Sequence, residues 1–506
     1  MKIIYIPIDE RPCNTIVVEQ IADTATDVDL LLPPKSLFGY KKEPADNEGI
    51  WNWIKATAPD ADAMILSMDM LIYGGLLPSR IHYLKEEIAA KWIERLRSFR
   101  ELYPELSIYA SSMIMRTPKY SSSDEEPVYY EEWGREIFMQ AYLKDKQKVS
   151  VLKNDEMVEL DKIKQNLPVH YLKDYENRRS FNIEVNQSVL DLVNEGVINF
   201  LAIPQDDSAE YGYTARDQAA VIAKRDRLRL YNNVHIYPGA DEVGATLLTR
   251  IYNTFHQKCP KIYTIWSSTL GPQIIPMYED RPFAESLKAH ILASGCQLAA
   301  HAEEADLILA YNTPGQVMQE SWDQSKKDIT YSSFRNIFHF VNQIDSHVKQ
   351  RRKVIVADSA YANGGDSQLI TLLDEAMVLD KLLSYKGWNT NCNTLGTTIA
   401  QGVLGLNGEQ NVIQQNLIYH ILDDYFYQAE IRMEMTKDFL EIHNLTYFDL
   451  KDKAELVSKE RDKRLSRRYN NFLMHSFRDF EIEKLQTYAP WNRMFECGIE
   501  LKIKTI

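Results

Sequence analysis

Phe200-Leu201-Ala202-Ile203-Pro204-Gln205-Asp206-Asp207-Ser208 is the stretch on which the reading of this chain turns. Its first five residues are apolar without alternation, and the run stops abruptly at an amide and two carboxylates. A strand apolar on both faces belongs to a parallel sheet covered by helices on both sides. In such sheets the chemistry gathers where the strands end.

Working outward, the same grammar recurs. Ile3–Asp9, Val28–Leu32, Ala63–Asp69, Ser107–Met113 and Val234–Tyr237 read as further strands, and Lys85–Tyr103 and Ser188–Glu195 as helices between them. Polar residues follow the strands: Asp9, Glu10 and Arg11 the first, Asp69 and Tyr73-Gly74-Gly75 the third, Arg116 the fourth, Asp241-Glu242 the sixth. Strand alternating with helix predicts an α/β fold, either a barrel or an open doubly wound sheet. The expectation adopted is a TIM-barrel-like catalytic half over 1–255.

From about residue 260 the rhythm restarts. Lys261–Trp266, Cys296–Ala299, Leu307–Tyr311 and Lys353–Ala357 read as strands. Phe283–Ala293, Ser332–His347 and Ser367–Tyr385 read as helices. Residues 256–405 are expected to form a flavodoxin-like α/β segment or to complete the barrel. Residues 406–506 are expected to be mostly helical, ending in an edge-like alternation at Gly498–Lys504.

Composition narrows the functional classes. The chain has 506 residues, with 58 Lys and Arg against 72 Asp and Glu, a net charge of −14. That balance repels polyphosphate and argues against nucleic acid or an anionic membrane as partner. No apolar run is long enough to span a bilayer, and Met1 leads directly into a strand-like run rather than a leader. Five scattered cysteines without a CxxC pair suit a reducing cytoplasm, the expected location. The 29 tyrosines suit surfaces that must be flat and hydrogen-bonding, as carbohydrate requires. P-loop, GxSxG, HExxH and GxGxxG signatures are absent, and neither a metal nor a cofactor is expected.

The two acidic pairs, Asp206-Asp207 and Asp241-Glu242, stand thirty-four residues apart, about one strand-helix repeat. Adjacent carboxylates raise one another's pKa, which suits a general acid working near neutrality. In substrate-assisted glycoside hydrolysis one carboxylate orients the 2-acetamido group of the sugar and its neighbour protonates the leaving oxygen. The alternative for each pair is an N-cap with a first-turn acid at a helix start. Arg11 and Arg80 are candidates to hold carboxylates or sugar hydroxyls. Asp9, Glu10, Asp69, Tyr73, Arg116, Asn363, Asp366, Trp388 and Asn389 complete the expected substrate-binding set. The loop from Asp124-Glu125-Glu126 to Trp133 reads as a lid or subsite wall.

Two kinds of resemblance add to this. His235-Ile236-Tyr237-Pro238-Gly239-Ala240-Asp241-Glu242-Val243 resembles the His-x-Gly-Gly-Asp-Glu signature of glycoside hydrolase family 20, with a longer spacing and Ala240 for the second glycine. Strand-then-Asp206-Asp207 is similar to the paired aspartates of glycoside hydrolase family 84. Both imply a β-N-acetylhexosaminidase: the family 20 resemblance implies Asp241 orienting the acetamido group and Glu242 as the acid, and the family 84 resemblance implies Asp206 and Asp207 as a substrate-assisted pair. Along the whole chain, Ile8-Asp9-Glu10-Arg11-Pro12, Ser67-Met68-Asp69-Met70-Leu71-Ile72-Tyr73-Gly74-Gly75-Leu76, Gln205-Asp206-Asp207 and Gly387-Trp388-Asn389-Thr390 resemble a bacterial family catalogued as a domain of unknown function, DUF4127. That resemblance implies a family and no activity.

The expected function is therefore hydrolysis of a small N-acetylhexosaminide, with a carbohydrate as partner and homo-oligomerisation left open. The competing expectations are a metal-dependent hydrolase or isomerase using Asp9, Asp69 and Asp206, and a non-catalytic carbohydrate-binding protein.

Overall fold

The computed structural model describes residues 1–506. The chain divides into two compact units, each containing its own parallel sheet. One comprises Met1–Glu10, Asp29–Leu247 and Tyr278–Asp280; the other comprises Arg11–Val28, Leu248–Met277 and Arg281–Ile506.

The strands of the first unit are β1 (Lys2–Ile6), β2 (Asp29–Leu31), β3 (Ala63–Ser67), β4 (Ser107–Ser111), β5 (Phe200–Gln205) and β6 (Val234–Pro238). Their order is β2-β1-β3-β4-β5-β6, every neighbour parallel. This corrects the barrel expectation. A barrel adds each new strand on the same side until the sheet closes. Here β2 is added on one side of β1 and β3 on the other, so growth reverses and β2 and β6 remain edges. The result is an open, doubly wound sheet with a topological switch between β1 and β3. All of β3 and β5 is buried, as their unbroken apolar runs require. The edge strand β2 is partly exposed throughout.

Between β4 and β5 lies a helical excursion of Tyr130–Val149, Asn154–Asn166 and Val169–Asn194. The last of these packs Val185, Val189, Leu190 and Val193 into the core of the sheet. The first two enclose a smaller core with Tyr130, Ile137 and Ile163.

The strands of the second unit are β7 (Lys261–Trp266), β8 (Gln297–Leu298), β9 (Leu307–Asn312), β10 (Gln319–Glu320), β11 (Val354–Asp358), β12 (Tyr361–Ala362), β13 (Ser384–Lys386), β14 (Phe480–Tyr488) and β15 (Gly498–Thr505). The main sheet runs β13-β11-β9-β7-β8, again all parallel. Renumbered within the unit and taken from β8, this is the order 2-1-3-4-5, the same as the first five strands of the first sheet. It is the strand order of flavodoxin-like folds. β10 pairs with β12, and β14 with β15 in an antiparallel hairpin.

Two expected helices change. Ser367–Tyr385 is helical only over Ser367–Glu375; Met377 then takes φ +55°, and Ser384–Lys386 becomes the edge strand β13. Ser332–His347 begins instead at Ile337, where the Asn336 side chain accepts from the His339 amide at 3.0 Å. In the C-terminal region, Phe480–Tyr488 alternates polar and apolar residues and forms a strand rather than a helix. Residues Ile421–Ile431 form a π-helix, a rare conformation that concentrates at functional sites. No helix is long and apolar enough to cross a membrane.

Candidate functional site

Because all six strands of the first sheet are parallel, their C-terminal ends share one edge. Ser67, the last residue of β3, caps the next helix: its Oγ accepts from the Met70 amide at 3.2 Å. That places Asp69 in the first turn and Tyr73 in the last. Gly74 ends the helix with φ +88°; a Cβ there would lie 2.6 Å from Pro44 Cβ and 2.7 Å from the Ala45 nitrogen. Only glycine both adopts this backbone and leaves that space.

Arg80 lies on the short helix Pro78–Ile81 and is 2% exposed. Its Nη2 donates to Asp206 Oδ2 at 2.6 Å, and its Nη1 to Glu125 Oε2 at 2.9 Å and Glu126 Oε1 at 3.4 Å. Arg116 follows β4, which continues beside β5 through the pairing of Ile114 with Gln205. Its Nε donates to Glu126 Oε1 at 2.9 Å, Nη2 to Glu125 Oε2 at 2.8 Å and Nη1 to Asp207 Oδ2 at 3.1 Å. Two guanidinium groups thus bridge the Asp206-Asp207 pair to the Glu125-Glu126 pair. The loop carrying the glutamates is held by Lys41 on Asp124 and by Lys42, which donates to the Glu126 carbonyl at 2.9 Å.

Four carboxylates against two buried cations leave excess negative charge, which favours retention of a proton. Burial, reinforced by the charge of Asp206, raises Asp207 to about 6 against the pull of Arg116 and Arg80. Burial likewise raises Asp69 to about 7, opposed by the hydrogen bond from the Met113 amide at 3.0 Å. Asp207 also has φ +34°, a left-handed conformation that costs a non-glycine residue about 1 kcal/mol or more and clusters at functional sites. It is not a helix cap, since the next helix starts at Tyr213 behind Gly212. The Tyr73 hydroxyl, close enough to feel the Asp69 charge, is buried without a protein hydrogen-bond partner.

The second acidic pair is arranged differently. Glu242 directly precedes the helix Val243–Phe255, and its backbone oxygen accepts from the Thr246 amide at 3.0 Å. Its carboxylate folds back to accept from the Ala240 amide at 2.9 Å, over Gly239, where a Cβ would meet Oε1 at 2.2 Å. Glu242 therefore shapes the strand-to-helix turn, and Asp241 is buried on the same turn. Asp9 is buried just beyond β1, and Glu10 accepts from the Lys41 amide at 2.8 Å.

The remaining expected residues belong to the second unit. Arg11 pairs with Glu496 at 3.4 Å and lies over the Trp491 ring. Asn363, at φ +58°, donates to Glu320 at 2.9 Å, and its amide donates to the Asn389 carbonyl. Trp388 is half-buried against Phe495, and Asn389 takes φ +63°. Asp366 caps the helix Ser367–Glu375 by accepting from the Gln368 amide at 3.0 Å.

Asp366 also belongs to a polar cluster at the strand ends of the second sheet. Arg335 Nη1 donates to Asp366 at 2.9 Å and to Asn312 Oδ1 at 3.1 Å. Asn312 Nδ2 donates to Asp358 Oδ1 at 2.8 Å, whose other oxygen accepts from Tyr385 at 2.9 Å and from the Asp366 amide at 2.7 Å. Burial and the neighbouring Asp366 raise Asp358 to about 7. Asn312, Arg335 and Asp358 are not among the residues expected from the sequence. Asn312 and Asp358 each close an apolar strand run, the same signal as Asp69 and Asp206 in the first half, whereas Arg335 lies between two helices and carries no such mark. No group of three His, Cys, Asp or Glu side chains is arranged to hold a metal ion.

A family model described as Protein of unknown function (DUF4127) matches residues 3–500. The chain belongs to the DUF4127 family. No curated protein and no solved structure matches it. In this DUF4127 member two of the four quoted motifs fall on the site's framework: Ser67–Leu76 builds the β3 turn, and Gln205-Asp206-Asp207 closes β5.

Proposed function

We propose that the first unit is a glycoside hydrolase in which Asp206 and Asp207 act as a pair. The observation that carries this reading is their asymmetry. Asp206 is held by the Arg80 guanidinium at 2.6 Å, whereas its neighbour Asp207 is raised to about 6 on a strained strand end. A carboxyl that keeps its proton near neutrality, beside a second carboxyl fixed in place, is the general requirement for acid catalysis of this kind.

In the proposed reaction the substrate is a small β-N-acetylhexosaminide. Its acetamido oxygen attacks the anomeric carbon while Asp206 orients the amide. Asp207 gives its proton to the leaving oxygen as the glycosidic bond breaks, then recovers one from the water that opens the oxazoline. Arg116 sets the Asp207 carboxyl, and Tyr73 offers a buried hydroxyl to the sugar. The geometry favours this pair over Asp241-Glu242, because the Glu242 carboxylate is engaged in its own turn.

The test is release of chromophore from aryl β-GalNAc and β-GlcNAc, by wild type and Asp207→Asn, with and without EDTA. Turnover that survives EDTA and is lost in the variant supports the proposal. Binding of the sugar without turnover in calorimetry replaces it with a binding function. A hydrolysis abolished by EDTA replaces it with a metal-dependent reaction.

A further inference from the structure

The second unit contains a group of buried side chains that the hydrolytic reading does not use. Lys386 ends β13, and strand alternation places it on the opposite face from Tyr385. Asn416, His420 and Asp424 recur every fourth residue on the helical segment entering the π-helix. They therefore follow one another along one face. Lys386 Nζ donates to Asn416 Oδ1. Asp424 Oδ2 accepts from the amide of Gly387, the residue after Lys386, at 2.8 Å. Asp424 Oδ1 lies 3.0 Å from His420 Nδ1.

Lys386 and Asp424 are each 1% exposed and His420 is 4% exposed. Burial, reinforced by the charge of Lys386, holds the imidazole pKa well below its ordinary value. The ring is therefore neutral. Burial also raises Asp424 to about 7; when that carboxyl is ionised, His420 Nδ1–H donates to it and Nε2 keeps a bare lone pair. That Nε2 has no protein hydrogen-bond partner. Burial also lowers the Lys386 ammonium to about 7, so a neutral amine is available near neutrality. The adjoining turn reaches the surface at the half-buried Trp388 and Asn389.

We propose that Lys386 is a second reactive centre: a nucleophilic amine for small aldehydes or ketones, with His420, oriented by Asp424, carrying the protons. The Lys386 nitrogen lone pair forms a bond to the carbonyl carbon, and the carbonyl oxygen becomes an alkoxide. His420 Nε2 takes a proton from the new ammonium and passes it to the alkoxide, giving a neutral carbinolamine. His420 then takes the remaining N–H proton and delivers it to the hydroxyl oxygen as the C–O bond breaks. The electron pair of that N–H bond closes the C=N bond and water leaves, giving an imine. A neutral amine, a positioned base and exclusion of water are the general conditions for lysine nucleophilic catalysis.

The test is reductive trapping in the full chain. The folded protein is incubated with glycolaldehyde and sodium borohydride, and adducts are located by peptide mass spectrometry over time. The expected result is modification of Lys386 at least tenfold faster than of the exposed Lys349. Lys386→Arg should lose the adduct from that peptide. His420→Gln should slow trapping at Lys386 tenfold or more while leaving Lys349 unchanged. Circular dichroism of each variant separates this outcome from unfolding. Trapping at Lys386 no faster than at Lys349, or unaffected by His420→Gln in a folded protein, would overturn the proposal. The readout is a covalent adduct, so it stands or falls apart from glycoside hydrolysis at Asp206-Asp207.

Discussion

Arg80 donates to Asp206 across 2.6 Å, although 126 residues separate them in the chain. The same guanidinium reaches Glu125 and Glu126, so one buried side chain ties the β5 strand end to the loop after β4. Removing it leaves carboxylates buried without their counter-ion. Arg80→Met is therefore expected to destabilise the first unit by about 3–5 kcal/mol, the usual cost of breaking a buried ion pair from one side. Urea unfolding measures this, and a loss below about 1 kcal/mol would show that the network is not a structural tie.

If Asp207 is the acid, Asp207→Asn should lower kcat on aryl N-acetylhexosaminides by about 10²–10⁴-fold with the fold intact. A rate within threefold of wild type would remove Asp207 from the chemistry.

The pH profile follows from the same group. A general acid must be protonated, and Asp207 is raised to about 6. Activity should therefore fall as pH rises above that value, by about tenfold per unit once the acid is mostly ionised. A profile still flat at pH 8 contradicts the assignment.

Glu242→Gln is expected to be mild. A glutamine oxygen can still accept from the Ala240 amide, so turn and rate should change little, with kcat within about threefold of wild type. A loss of a hundredfold would shift the catalytic role to Glu242.

Asp69 offers a stability test independent of substrate. Its folded pKa is about 7 against an ordinary 3.8. Between these values the folded state binds the extra proton, so the contribution of Asp69 to stability is fully present below about pH 4 and is lost as pH rises towards 7. Asp69→Asn removes that slope and should be more stable than wild type at pH 8, by an amount on the order of 2 kcal/mol. Denaturant midpoints at pH 5 and pH 8 for both proteins decide this; an unchanged slope contradicts it.

The elements that the sequence made legible are those with a local cause. The apolar runs at Lys2–Ile6, Ala63–Ser67 and Phe200–Gln205 are strands because no other element buries both faces so fully. The polar closures at Asp69, Arg116 and Asp206-Asp207 were visible for the same reason, and the fold brings these three together. Ser384–Lys386 was not legible, because three residues after a longer helical pattern carry almost no periodicity. His420 and Asp424 were hidden likewise: their four-residue spacing matches any helix face, and the π-helical widening leaves no mark in composition.

By itself, then, the sequence determined that this is an α/β chain of repeated strand-helix units with polar strand ends, since burial periodicity is written residue by residue. Only the tertiary structure decided that the first sheet stays open. Closure depends on which side of β1 receives β3, and local pattern does not encode that side. Only the tertiary structure, too, separated the two acidic pairs. Both read as strand-end carboxylates, but a side chain's role depends on its neighbours in space. Asp206 and Asp207 meet Arg80 and Arg116 from distant segments, whereas Glu242 turns back on the amide two residues before it.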